Sequence, residues 1–236
     1  MAVRTRLTRT MPRSLTVRSS REKEVVAETA AKLVDGGMRV GIGTGTTIAR
    51  LLPLLPARGV VYVATSPGTE AAAGRLGLNV QPFEVPDRLD LALDSADQVG
   101  PTGWLVKGRG RAHTREKVVA AAAERFVVLV SSDKLVPQLT APVPLELLAF
   151  GVEATLRSLG PARLRGGPTS PDGGLIADYD GPIGDPTALA DRLSNTPGVI
   201  EHGLFAPQLV SEILVGDLTE VRRVRPSAGG LFQGVS

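Results

Sequence analysis

The chain has 236 residues, enough for one large or two small domains with a sizeable core, and only 3% of them are aromatic, so that core must be aliphatic. There is no cysteine and the only histidines are His113 and His202, which rules out disulfides, thiolate catalysis and zinc–thiolate sites and leaves a histidine-rich metal site without donors. The net charge of +3 sits in a leader: Arg4, Arg6, Arg9, Arg13, Arg18 and Arg21 precede the first acid, Glu22, and the rest holds 21 basic against 24 acidic residues, which argues against a nucleic-acid-binding body.

Residues 1–19 lack the apolar stretch of a secretory signal and read as a disordered basic extension, with Met11 as an alternative start and a transit peptide as the other reading. No apolar run reaches the ~18 residues of a membrane span, so a soluble, cytoplasmic protein is expected. From Glu22 to Asp35 the spacing of Val26, Ala30, Leu33 and Val34 predicts an amphipathic helix closed by Gly36 and Gly37. "MRVGIG" then reads as a buried strand and "TTIARLLPLL" as a helix. "VVYVAT" is a second strand, "GTEAAAGRLG" a helix, "LNVQPF" a third strand and "LDLALDSAD" a fourth. A glycine-bearing turn, "KGRGRAHTREK", leads into the helix "TREKVVAAAAERF" and the strand "FVVLVSS". Helices alternating with short apolar strands imply βαβ units and a mainly parallel sheet.

Near Pro137 the pattern changes. "VPLELLAFGVEATLRSLG" predicts a strand and a helix, "RLRGGPTSPDGGLIADYD" a hairpin, "DPTALADRLSNTPG" a helix and "VIEHGLF" an extended segment. That order suits a small α+β module, inserted or appended. "LVSEILVGD" then resumes the buried-strand style of the first half.

Four segments could carry chemistry. "VGIGTGTTIAR" gives a strand, a Gly/Thr turn and a helix start, with Thr44, Gly45, Thr46 and Thr47 placed to bind a phosphate or another anion; a plain βα turn is the alternative. It lacks the Lys-Ser/Thr end of a Walker loop and the last glycine of a dinucleotide fingerprint. Asp90, Asp94 and Asp97 fall at a strand end, where carboxylates transfer protons, hold sugar hydroxyls, or merely cap a short helix. Lys107 ends another strand and Glu116 opens the next helix, a pattern that capping by Thr114 also explains. Lys134 follows "LVSS", where a solvated surface charge is the alternative. All four lie where a parallel sheet puts its site.

Taken together and in order, these segments resemble the A-type ribose-5-phosphate isomerases. That family runs "GTGST", "DGADE", "KGGGGA…EK", "D-x-SK", "PVEV", "TDNGN-x-I-x-D", "DP" and "PGVVEHGLF". The chain has "GTGTT", "DSADQ", "KGRGRA…REK", "SSDK", "PLEL", "SPDGGLIAD", "DP" and "PGVIEHGLF". The resemblance covers about residues 20–217. It implies an α/β protein: a Rossmann-like parallel-sheet domain (20–139 and 208–236) with an inserted α+β, ferredoxin-like domain (140–207). It further implies aldose–ketose isomerisation of ribose 5-phosphate to ribulose 5-phosphate, with no metal and no cofactor, in a homodimer or homotetramer, and with neither nucleic acid nor membrane as partner. Carried over by position, Lys23, Thr46, Thr47 and Lys134 would hold the phosphate, and Glu116 would move the proton between C1 and C2. Lys107 and the backbone N–H groups of Gly108, Arg109 and Gly110 would stabilise the oxyanion. Asp94 and Asp97 would bind hydroxyls and assist ring opening.

The chain departs from the family at Ser95, Gln98, Arg109 and Arg111. If the glycine matched by position 109 has a positive φ, an arginine there costs about 1–2 kcal/mol and could displace the oxyanion donors. If instead both arginines face the substrate, a second anionic group is favoured. Two other readings therefore stand beside the isomerase: a paralogue for a related phosphosugar, and a non-catalytic sugar-phosphate sensor.

Overall fold

The computed structural model describes residues 13–83, 88–226 and 233–234. Its first element, α1 (Arg13–Ala31), starts well before Glu22 and takes in the end of the expected extension. Ion pairs one turn apart support that longer helix: Arg18 Nε lies 2.8 Å from Glu22 Oε1, and Arg21 Nη1 lies 3.3 Å from Glu24 Oε2. Residues 1–12 of the extension lie outside the described residues. At the other end Leu33 and Val34 fall in a turn, their N–H groups reaching back to the carbonyls of Ala30 and Ala31.

After α1 come β1 (Arg39–Ile42), α2 (Thr46–Leu51), β2 (Val61–Ala64), α3 (Pro67–Arg75) and β3 (Leu89–Ser95). Two short strands, β4 (Gln98–Val99) and β5 (Leu105–Val106), precede α4 (His113–Ala122) and β6 (Ala123–Ser131). The next stretch holds β7 (Val143–Leu147), α5 (Val152–Leu159), β8 (Ala162–Leu164), β9 (Leu175–Tyr179), α6 (Pro186–Ser194) and β10 (Val199–His202). Then follow β11 (Leu204–Phe205), β12 (Glu212–Gly216), β13 (Val221–Arg225) and β14 (Gln233–Gly234).

The main sheet runs β14-β13-β12-β6-β3-β1-β2, and its strands from β12 to β2 pair in parallel. Both faces are covered, so β6 is apolar on both: Val127 and Leu129 enter one core with α1 and α2, while Phe126, Val128 and Val130 enter the other with α4. From β1 the chain moves outward to β2, then crosses back to β3 on the other side of β1. The chain therefore leaves the carboxyl ends of the neighbours β1 and β3 toward opposite faces, α2 on one and α4 on the other, which opens the crevice where such sheets bind ligands. Gly43 is needed there, because a Cβ on it would lie 1.9 Å from the Asp94 carboxyl carbon.

A four-stranded antiparallel sheet, β10-β7-β9-β8, packs with α5 and α6 around a separate core that includes Leu145, Ala177 and Leu193. The three-stranded sheet β11-β5-β4 contributes to both cores, through Phe205 and Leu105 on the main-sheet side and Val106 and Leu204 on the other.

Several expected elements change. "LNVQPF" pairs with β2 only at Val80, opposite Tyr62, and Pro82 has no N–H to extend the ladder. α2 gives way to a 3₁₀ turn at Leu52–Leu54, where Pro53 cannot continue an α-helix. The helix expected to reach Phe126 stops at Ala122, because Ala123 and Arg125 pair with Leu89 and Leu91 of β3. That pairing overrides the helix propensity of the alanine run.

Candidate active site

At the crevice a cleft of about 270 Å³ is lined by residues from four turns and two helices. Thr44, Gly45, Thr46 and Thr47 come from the turn after β1, Asp97 from the turn after β3, and Gly108, Arg109 and Gly110 from the turn after β5. Glu116 enters from α4, Lys23 from α1 and Lys134 from the turn after β6. These are the sequence-predicted residues, apart from Asp94 and Lys107. Those two lie directly behind the cleft wall, bonded to Glu116 and to the turn after β1.

One end of the cleft suits a phosphate. Gly45 has φ 126°, open to glycine but strained for other residues, and it starts the turn into α2. Lys23 Nζ donates to Thr46 Oγ1 at 3.1 Å. Burial, and then repulsion from Lys134, pulls the Lys23 ammonium below the ordinary lysine range, so an anion placed between the two would relieve it. Lys134 keeps a loose contact with Asp133, 3.5 Å away.

At the other end, three buried groups form a charged stack. The Lys107 ammonium lies 2.8 Å from Asp94 Oδ2 and 3.1 Å from Glu116 Oε2, and it also donates to the Ser95 carbonyl. The Ser95 carbonyl accepts its hydrogen bond, and the two carboxylates face it as ion pairs. Asp94 is fixed in turn: its Oδ1 accepts the N–H groups of Ser95 at 2.7 Å and Thr44 at 3.2 Å. Beneath the stack, the Phe205 ring centre lies 5.3 Å from Lys107 Nζ and 5.0 Å from Lys117 Nζ, within cation–π reach of both.

Burial shifts every member of this stack. It pushes the Glu116 carboxyl up to about 8, with Asp94 adding to the rise and Lys107 opposing it. It raises Asp94 as well, against the pull of Lys107. For Lys107 burial acts downward, but the attraction of Asp94 and then Glu116 more than offsets it, so the ammonium lies above the ordinary lysine range. Glu116 is therefore a carboxyl tuned for proton exchange near neutral pH, beside a group that keeps its positive charge.

The four departures also find their places. Gln98 faces away from the cleft and pairs with Thr140, its Oε1 accepting the Thr140 N–H and its Nε2 donating to the Thr140 carbonyl, each at 2.8 Å. Arg109 has no positive φ; the left-handed residue is Arg111, at φ 65°. The strain expected at 109 thus belongs to 111. Arg111 turns away from the cleft to donate to the carbonyls of Gly166 and Pro168. Only Arg109 stays at the rim, largely exposed, its N–H donated to Asp97 Oδ2 at 3.0 Å and its Nε 3.5 Å from Asp97 Oδ1. Ser95, the fourth departure, lines the cleft and its hydroxyl donates to the Thr44 carbonyl at 3.3 Å, while its own carbonyl, which a glycine would also supply, serves Lys107. Among the described residues no three His, Asp or Glu side chains converge as a metal site would, and no helix is long and apolar enough to cross a membrane.

An α/β protein with a glycine–threonine turn at its switch point and a buried acid–lysine–acid stack beside it defines the class. The sequence model described as ribose 5-phosphate isomerase A (phosphoriboisomerase A) matches residues 61–220. The chain belongs to that family. It is 42% identical over 223 residues to the ribose-5-phosphate isomerase A of Caulobacter vibrioides, covering 87% of this chain and 98% of that one. Among solved structures it resembles the ribose 5-phosphate isomerase A of Methanocaldococcus jannaschii, with a TM-score of 0.81, 33% identity, and coverage of 86% and 98% of the two chains. A D-ribose-5-phosphate isomerase solved in complex with phospho-erythronic acid gives the same TM-score and identity, covering 86% and 97%.

Proposed function

We propose that this chain interconverts ribose 5-phosphate and ribulose 5-phosphate, and the observation that carries the reading is Glu116, a cleft-lining carboxyl buried against Lys107 and Asp94 opposite the Lys23–Lys134 pair. The phosphate lies at Lys23, Thr46, Thr47 and Lys134, among the N–H groups of the turn after β1. This anchors the open-chain sugar so that C1 and C2 reach Glu116. The phospho-erythronic acid held by the related enzyme, a sugar acid bearing a phosphate, suits a site with one anion end and one oxyanion end.

In the forward direction the Glu116 carboxylate takes the proton from C2. The C1=C2 bond forms and the carbonyl oxygen on C1 becomes the enediolate oxygen. As Glu116 loses its charge, Lys107 behind the wall keeps its own, so the field of a buried cation favours the negative charge that has formed on the substrate. Glu116 then returns the proton to C1, the hydroxyl proton passes from O2 to O1, and C2 becomes the ketone. Asp97, on the cleft wall, meets sugar hydroxyls and assists ring opening. Asp94 acts through Lys107, since its oxygens are taken by that ammonium and by two backbone N–H groups.

The two arginines that motivated a different phosphosugar divide. Arg111 is turned away and Arg109 is bonded to Asp97, and neither presents a built second anion site. The same reading carries a division at about residues 140 and 207, a homodimer or homotetramer, and a cytoplasmic location. Turnover of ribose 5-phosphate by the wild type, lost in Glu116→Gln, is the test. Binding of ribose 5-phosphate without turnover would make the protein a sensor and end the isomerase reading.

A further inference from the structure

Arg165 belongs to the segment after β8, in the antiparallel sheet, yet its side chain reaches the glycine-bearing turn of the cleft. Its Nη1 donates to the carbonyl oxygens of Gly108 at 3.2 Å and Arg109 at 3.4 Å. The rest of the guanidinium is held by buried Asp178, through Nε at 3.2 Å and through Nη2. Arg111 reaches the opposite way, from the cleft turn to the carbonyls of Gly166 at 2.5 Å and Pro168 at 2.6 Å. Each segment thus holds the other's backbone carbonyls with an arginine.

The consequence follows from peptide geometry. A trans peptide is planar, with its N–H directed opposite its C=O. Drawing the Gly108 carbonyl toward Arg165 sends the Arg109 N–H the other way, and it is donated to Asp97 Oδ2. Drawing the Arg109 carbonyl to the same guanidinium turns the Gly110 N–H away from Arg165. Gly110 lines the cleft, where a Cβ on it would lie 3.1 Å from Thr44 Cγ2. The left-handed backbone at Arg111 is strained for a residue with a side chain, and its two charge-assisted hydrogen bonds offset that strain.

We propose that Arg165 is a positioning residue: by holding the Gly108 and Arg109 carbonyls it aims the Gly110 N–H at the substrate oxygen that gains charge, while Arg111 locks the segment that carries Arg165. The proposal rests on the isomerase reading for the identity of that oxygen. The lacing itself does not depend on it.

The test compares the full chain with Arg165→Ala and Arg165→Lys in three measurements. These are kcat and KM for ribose 5-phosphate, inhibition by inorganic phosphate, and amide hydrogen exchange in the peptide covering 107–112. Arg165→Ala is expected to lower kcat by about 10- to 100-fold, the range for misaligned catalytic donors, with KM changed by less than ~3-fold. Phosphate inhibition stays within ~2-fold, because Lys23, Thr46 and Lys134 are untouched, and exchange at 107–112 speeds up by ~10-fold or more. Arg165→Lys recovers only part of kcat, since an ammonium lacks the planar fork that spans Asp178 and two carbonyls. Unchanged kcat overturns the proposal. So does a parallel worsening of kcat, KM, phosphate inhibition and melting temperature, which would mark a general structural role. Should the wild type not turn over ribose 5-phosphate, the isomerase reading falls by itself, and unchanged exchange at 107–112 would still overturn the lacing.

Discussion

Lys107 Nζ lies 3.1 Å from Glu116 Oε2, with both side chains almost sealed from solvent. A single ammonium there serves two carboxyls, and that sharing sets most of what the site should do under perturbation.

The pH dependence of turnover should report Glu116. Its carboxyl, raised to about 8 by burial and by Asp94, must be ionised to take a proton from carbon. For ribose 5-phosphate, kcat/KM should therefore rise with pH and level off above about 8. Lys107, held above the ordinary lysine range, adds no falling limb in the same window. A profile already flat at pH 6 would remove Glu116 from the role of base.

Stability should respond to the same group with the opposite sign. A carboxyl whose folded pKa lies above its unfolded value binds its proton more tightly in the fold, so ionisation costs stability as pH rises from about 4.5 toward about 8. Glu116→Gln stays neutral throughout. Its stability should match the wild type near pH 4 and exceed it increasingly up to pH 8 or 9, by on the order of a few kcal/mol, with its melting temperature rising above the wild type's in step. Thermal melts across that range check this, and a gap that does not change with pH would refute it.

Removing the shared cation should harm both fold and reaction. Lys107→Met leaves Asp94 and Glu116 buried without their shared cation, a loss of about 3–5 kcal/mol. Adding Asp94→Asn should restore part of the stability and none of the turnover. Denaturant titration together with an activity assay separates the two effects.

Arg109 should matter little, although it replaces a glycine of the family pattern. Its backbone φ is not positive and its side chain is 81% exposed, with only a long contact to Asp97. Exposed pairs of that kind contribute little, so Arg109→Gly should leave kcat and KM within ~3-fold of wild type. A large gain in turnover would instead mean that the arginine obstructs the site.

The parallel sheet and the strand–turn–helix around 40–50 were legible from local patterns, apolar runs for β1 and β6 and glycine and threonine at 43–47. The grouping of Asp94, Lys107 and Glu116 came only through the resemblance to the family, since a helix start explained Lys107 and Glu116 equally well on residue types alone. Other features were not legible. Whether Arg109 or Arg111 carried the positive φ depended on the whole course of the turn from Gly108, which residue types alone do not specify. That Asp94 sits behind the cleft while Asp97 lines it depends on the end of β3, where one residue's shift exchanges faces. Arg165 gave no signal at all, since its partners are carbonyl oxygens 56 and 57 residues away.

α1 spans Arg13–Ala31 and brings Lys23 to the cleft, while Glu22 on the same helix accepts the Ser132 N–H at 2.9 Å, next to the turn that carries Lys134. On the proposed reading, an anion held between Lys23 and Lys134 would fasten the amino-terminal helix to the end of β6. By mass action such a ligand protects whatever it fastens. A filled cleft would then slow trimming of the helix by a protease and an empty one would leave that end easier to cut, so on the same reading substrate supply would bear on the lifetime of the chain.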